Sequence, residues 1–144
     1  MGSHSKLLKK VADPEGFRVI WWLFHTKARR AVTYSQIMEY IRYVKDTIED
    51  LPCDDCKQHA KAYLRENPME NFINVKDERS GAAVGMSKYM FMFHNHVNRR
   101  TGKKEITWAT YLTLYYDEES ITETCKNCGK NGEKVKLIPK AKYP

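Results

Sequence analysis

Two cysteines separated by two residues, Cys53 and Cys56 in Leu51-Pro52-Cys53-Asp54-Asp55-Cys56-Lys57-Gln58-His59, are the side chains of this sequence best suited to covalent chemistry. A pair at that spacing closes a small disulfide and opens it again by thiol exchange. Pro52 stands where a helix starts. Both thiols then lie near unpaired backbone N–H groups and the positive end of a helix dipole, which favour thiolate. Asp54 and Asp55 suit a first helical turn but oppose a very low thiol pKa. By itself the pair fits a redox dithiol, half of a zinc site or an inert local disulfide. His59 shares the face of Cys56, either as a partner of the thiolate or a ligand, or as an ordinary surface histidine.

Two further polar groups sit among aromatics. Phe17, Trp21, His25 and Ala28 recur at helical spacing. His25 is thus either a core histidine held by a hydrogen bond or, with Trp21, the wall of a flat pocket for a planar ligand. Further on, Tyr89-Met90-Phe91-Met92-Phe93 runs into His94-Asn95-His96-Val97-Asn98. Met90, Phe91, His94, Val97 and Asn98 line one side. Asparagine is a poor interior helix residue because its amide competes for backbone hydrogen bonds. His94, Asn95 and Asn98 need partners, from the core or from a ligand, and their crowding favours a polar planar ligand.

The elements that must position these groups are helices. Asp13 caps and Pro14 opens a first helix that reaches about Ala31. Tyr34 to Glu49 is amphipathic, with Ile37, Tyr40, Ile41, Val44 and Ile48 as its stripe. A third helix runs from Cys53 to Glu66, a loop covers 67–81, and a fourth helix runs from Ala82 to Arg100. Thr101-Gly102-Lys103-Lys104 closes it with glycine and positive charge. A fifth segment starts at Thr107 and carries Trp108, Tyr111, Leu112, Tyr115 and Tyr116. The expected fold is all-α, a four-helix bundle with a short fifth helix. There is no β-α-β pattern and no G-x-G-x-x-G, so a cofactor must sit between helices of the bundle. Residues 14–120 form the expected domain, after an N-terminal extension 1–13. Residues 121–144 read as a basic, flexible tail with little to bury.

The net charge of +7 belongs to the ends: residues 1–13 carry +2 and residues 126–144 carry +5, leaving the middle neutral. A nucleic-acid binder carries its charge on the folded body, so nucleic acid is not an expected partner. No signal-peptide pattern is present, and the longest apolar run, Val19–Phe24, is six residues. A membrane-spanning helix needs about 20. The cysteines number four, in two C-x-x-C pairs. The second, Cys125 and Cys128, looks like a zinc knuckle. Two pairs could build a four-thiolate zinc site, which makes a zinc-stabilised interaction module without catalysis the competing function. Against it stand the helical setting of the first pair and the long separation between the pairs. A purely structural helical adaptor leaves the polar face of the fourth helix without a purpose.

Taken in order, W-x-x-x-H (Trp21, His25), C-x-x-C (Cys53, Cys56) and H-N-x-V-N-x-x-x-G-K (His94, Asn95, Val97, Asn98, Gly102, Lys103) resemble the FAD-linked sulfhydryl oxidases of the Erv/ALR family, over residues 16–116. His94 follows Cys56 by 38 residues. The length and the stretch Thr101-Gly102-Lys103-Lys104-Glu105-Ile106-Thr107-Trp108 look most like the forms of large cytoplasmic DNA viruses. The resemblance implies FAD held within the bundle. Arg18, Trp21, His25, His94, Asn95, Val97 and Asn98 would line the flavin pocket, and Lys103 would face the phosphates. Cys56 would lie against the ring system and Cys53 would exchange with incoming thiols. His59 matches a position where members differ. The implied activity is thiol oxidation, with electrons passed to O2 to give H2O2. The implied partners are a thioredoxin-like or other dithiol protein and a second copy of the chain, joined through the first two helices. The implied location is the host cytoplasm or the virion. Cys125 and Cys128 match a shuttle disulfide on a terminal arm; a zinc knuckle and a passive disulfide stay open. The sequence departs from the family pattern in two ways. Phe17 stands where glycine is common, and Phe91 and Trp108 stand where many members place a structural disulfide. Those two residues could replace the bridge by an aromatic contact, or Trp108 could touch the adenine.

Overall fold

Five helices form the body of the protein, seen in a computed structural model that describes residues 14–122 and 133–140. They are α1 (Pro14–Ala28), α2 (Tyr34–Glu49), α3 (Asp54–Glu66), α4 (Gly85–Arg100) and α5 (Trp108–Tyr115), with a 3-10 turn at Met69–Phe72 between α3 and α4. The order and type of the helices are those expected from the sequence. Asp13, read as the cap of α1, lies outside the described residues.

Local chemistry sets the starts and stops. At α2 the Thr33 hydroxyl accepts from the Gln36 N–H at 3.2 Å, and the Gln36 side chain accepts from the Thr33 N–H at 3.0 Å. This reciprocal cap satisfies two donors that a helix start leaves unpaired. Thr107 caps α5 by accepting from the Thr110 N–H. Gly102, at φ 75°, takes the left-handed conformation that ends α4, and the Lys103 N–H bonds back to Asn98 O at 2.7 Å. The start of α4 falls at Gly85 rather than Ala82. Val84 N–H bonds to Val75 O at 3.2 Å and Lys76 pairs with Ala83, so residues 82–84 are held extended against the preceding loop.

Ile20, Phe24 and Ala28 of α1 and Ile37, Ile41, Val44 and Ile48 of α2 meet Tyr63 of α3 and Met86, Met90 and Phe93 of α4 in the main core. Each fully buried aliphatic chain here contributes roughly 1.5–3 kcal/mol by leaving water. Tyr40, on the same stripe, donates its hydroxyl proton to Phe24 O at 2.6 Å, tying α2 to α1. A second cluster joins Val84, Tyr111, Tyr115, Tyr116 and Leu137.

Leu137 brings a correction to the expected tail. Tyr116–Thr122 (β1) and Glu133–Pro139 (β2) pair antiparallel, from Tyr116 opposite Pro139 to Thr122 opposite Glu133. The fold is therefore mostly helical with an added two-stranded sheet, and β2 is anchored rather than free. The physical reason is alternation: Leu137 is buried and its neighbour Ile138 faces outward, the two-residue period of a strand with one covered face. Lys140 N–H then bonds to Tyr115 O at 2.9 Å. Among the described residues no helix is long and apolar enough to cross a membrane.

Candidate active site

Cys53 is the N-cap of α3. Its sulfur accepts the Cys56 N–H at 3.3 Å, so the sequence that starts the helix also fixes the pair. Both are free thiols and neither is fully buried. The pair is electrically asymmetric. Hydrogen bonds from the Cys56 side chain and backbone lower the pKa of Cys53. Burial and the Cys53 contact push the Cys56 thiol up to about 11, with Arg100 as the cation pulling it back. Cys53 is thus the thiol that ionises first and Cys56 the one that keeps its proton.

Cys56, and not Cys53, lines a cavity of about 460 Å³ between α1, α3 and α4. Its walls are flat and apolar, with Phe17, Trp21, Phe24 and Phe93 among them, and its rim is cationic through Arg18, Arg100 and Lys103. Of the residues expected at a cofactor, Arg18, Trp21, His59, His94, Val97, Asn98 and Lys103 are brought together here. Phe17, the departure from glycine, forms part of the wall. His96 and Arg100 also line it and were not singled out from sequence. They stand three and seven residues after Phe93 on α4, so helical phase alone could have indicated them.

Three expected residues are placed elsewhere. His25 is buried behind the wall, with Nδ1 2.8 Å from the Tyr111 hydroxyl and Nε2 2.8 Å from His94 Nδ1. It lines only a smaller adjoining cavity of about 170 Å³, together with Asn95 and with His94 and Asn98, which belong to both. The Asn95 amide is satisfied by backbone: it donates to Ile106 O at 2.8 Å and accepts from Ile106 N–H at 3.0 Å. Trp108 lines neither cavity. It packs on Phe91 at 5.3 Å between ring centroids, stacks on Tyr111 and lies under the Lys88 ammonium at 4.4 Å. The aromatic contact between positions 91 and 108 is therefore present. Cys125 and Cys128 lie outside the described residues.

Trp21 stacks on His94 with centroids 3.9 Å apart and planes 4° from parallel. Both imidazoles of this wall are held neutral. Burial, reinforced by Lys103, pushes His94 down to about 4, and burial with His94 as neighbour lowers His25 well below the ordinary range. Below about pH 6.5 the unfolded histidines take up protons that the folded ones refuse, so stability is complete above that pH and falls towards pH 4. The thermal midpoint is expected to drop between pH 6.5 and 4.5, with His94 alone contributing on the order of 3 kcal/mol over its full range. His94→Gln should flatten the profile. A wild-type midpoint that does not move over this interval would contradict the neutral pair.

The paired thiols, the aromatic cavity against one of them and the cationic rim define a helical dithiol protein with a pocket for a flat anionic ligand. The family model for the Erv1/Alr family matches residues 18–119, and the chain belongs to that family. It is 35% identical over 94 residues to the FAD-linked sulfhydryl oxidase of a Kenyan pig isolate of African swine fever virus, covering 65% of this chain and 70% of that one. To the protein of the same name from a Namibian warthog isolate it is 37% identical over 86 residues, 60% of this chain and 63% of the relative. The matched part thus spans about two thirds of the length of these relatives.

Proposed function

We propose that this chain is an FAD-linked thiol oxidase that makes disulfides in substrate proteins and passes the electrons to dioxygen. The observation that carries the reading is the placement of Cys56, alone of the pair, in the wall of the aromatic cavity. The residues fit the cofactor. Trp21, Phe17 and Phe93 offer flat surfaces to a ring system, and Arg18 and Lys103 offer charge to a diphosphate. FAD, when bound, supplies a two-electron acceptor that dioxygen reoxidises with release of hydrogen peroxide.

The chain's own steps are thiol exchange. A substrate thiolate attacks Cys53 of the Cys53–Cys56 disulfide, forming a mixed disulfide and releasing Cys56 as the leaving thiolate. Arg100 is the cation placed to stabilise it. The second substrate thiolate attacks its own sulfur in the mixed disulfide and releases Cys53. The substrate leaves oxidised, and two electrons remain in the pair beside the cavity. A thioredoxin-like or other dithiol protein suits this exchange. The relatives' source suggests a viral protein acting in host cytoplasm or virion. A homodimer through α1 and α2 belongs to the same reading, supported by exposed Trp22, Val32 and Tyr34. Cys125 and Cys128 would relay electrons from bulky substrates to the inner pair.

One assay with two substrates tests this. Purified protein should release a flavin that migrates as FAD and should consume oxygen with dithiothreitol and with a protein dithiol. Cys125→Ser/Cys128→Ser should keep the first activity and lose most of the second. Protein that stays colourless after incubation with FAD sinks the oxidase reading. Equal turnover of the protein dithiol by the double variant sinks only the relay.

A further inference from the structure

A hydrogen-bonded line runs from the buried interior to the cavity. Tyr111 hydroxyl lies 2.8 Å from His25 Nδ1, and His25 Nε2 lies 2.8 Å from His94 Nδ1. His25 and Tyr111 are each 1% exposed. At the inner end, Ser87 Oγ lies 2.6 Å from the Tyr116 hydroxyl and neighbours the Tyr111 phenol. We infer that Tyr111 is a positioning residue: it donates to His25 Nδ1, fixes His25 as the Nε2–H tautomer, and through it fixes His94 so that Nε2–H is the donor offered to the cavity.

A neutral imidazole has one donor and one acceptor nitrogen. With both rings neutral, the facing nitrogens of His25 and His94 must share one proton. Two arrangements satisfy every atom: protons all pointing outward from Tyr111, or all pointing inward from His94. Arg29 selects the first. Its guanidinium is fully buried, Nη1 donates to Tyr115 O at 3.3 Å, and Nε and Nη2 have no partner among the described residues. Its charge acts on the phenols of Tyr111, Tyr115 and Tyr116. A cation draws phenol lone pairs towards itself and turns the O–H away, which for Tyr111 leaves His25 as acceptor.

The consequence concerns what the cavity binds. The Asn95 amide spends one N–H and an oxygen lone pair on Ile106 and lines the smaller cavity, not the larger one. His94 Nδ1 is taken by His25, which leaves Nε2. The ligand must present an acceptor there, a carbonyl oxygen or an unprotonated ring nitrogen. That this ligand is a flavin rests on the function proposed above; the tautomer does not.

Full-length protein with 15N-labelled histidine, freed of flavin, tests the line by two-bond 1H–15N correlation. Wild type should show Nδ1 of both His25 and His94 as the unprotonated, pyridine-type nitrogen. Tyr111→Phe removes one hydroxyl and should leave the thermal midpoint within a few degrees while His94 becomes a mixture of tautomers. Ser87→Ala should shift the populations the same way by less, which keeps the test open if the first variant folds poorly. FAD affinity should fall about tenfold in Tyr111→Phe, the effect of one neutral hydrogen bond. His94 protonated on Nδ1 in wild type, or unchanged tautomers in both variants, overturns the inference. Expected tautomers in a protein that binds no FAD would leave the line standing and remove the flavin reading instead.

Discussion

Cys53→Ser and Cys56→Ser are each expected to reduce oxidase turnover on the order of a thousandfold or more, the scale seen when one member of a group that acts as a unit is removed. The electron path through the body of this protein has one dithiol, and neither half can complete an exchange alone. The two variants should differ in colour. Cys53→Ser keeps a thiol in the cavity wall and removes the Cys53 thiol that raises its pKa, so at alkaline pH a Cys56 thiolate would face the bound flavin and give a broad long-wavelength absorbance. Cys56→Ser leaves only a thiol that does not line the cavity, and the band should be missing. Stopped-flow turnover and a visible spectrum of each variant are sufficient. An active Cys53→Ser enzyme is incompatible with exchange at that sulfur, and a band in Cys56→Ser would reverse the assignment of the two thiols.

Gly85→Ala should destabilise the fold by about 3 kcal/mol, lowering the thermal midpoint by roughly 10 °C. Gly85 is buried at the first position of α4, and a Cβ there would run into the Phe72 carbonyl oxygen at the end of the 3-10 turn. Alanine gains up to about 1 kcal/mol in helix propensity over glycine. The obstacle is backbone rather than the end of a flexible side chain, so the turn or the helix must move, and α4 carries the histidine and asparagine face of the site. Circular dichroism melting of the variant decides it: a midpoint unchanged within about 2 °C would show that the close approach is relaxed cheaply.

Helix α2 was legible from the sequence because its apolar stripe runs unbroken from Ile37 to Ile48 and Pro52 bars its continuation; the Thr33 cap came from the structure. Cys53 and Cys56 were legible for the same reason, a helix start marked by Pro52. Strand β2 was not. Its alternation is short and lysine-rich, and its partner β1 directly follows an aromatic helix, so only the assembled fold brings them together. Asn95 was read towards a ligand because a polar helix face does not say what it meets; Ile106, eleven residues on, meets it. The contact of Tyr111 with His25 spans 86 residues and leaves no local pattern at all.

Phe91 and Trp108 hold α4 to α5 by ring contact, and residues 14–122 contain no cysteine other than Cys53 and Cys56. The bundle can therefore mature before any oxidant reaches it. A newly made chain in a reducing environment attains its native packing first and gains its reactive bridge afterwards. The first molecules need no earlier catalyst to assemble them, and each reduction of the pair in turnover leaves the packing of the bundle untouched.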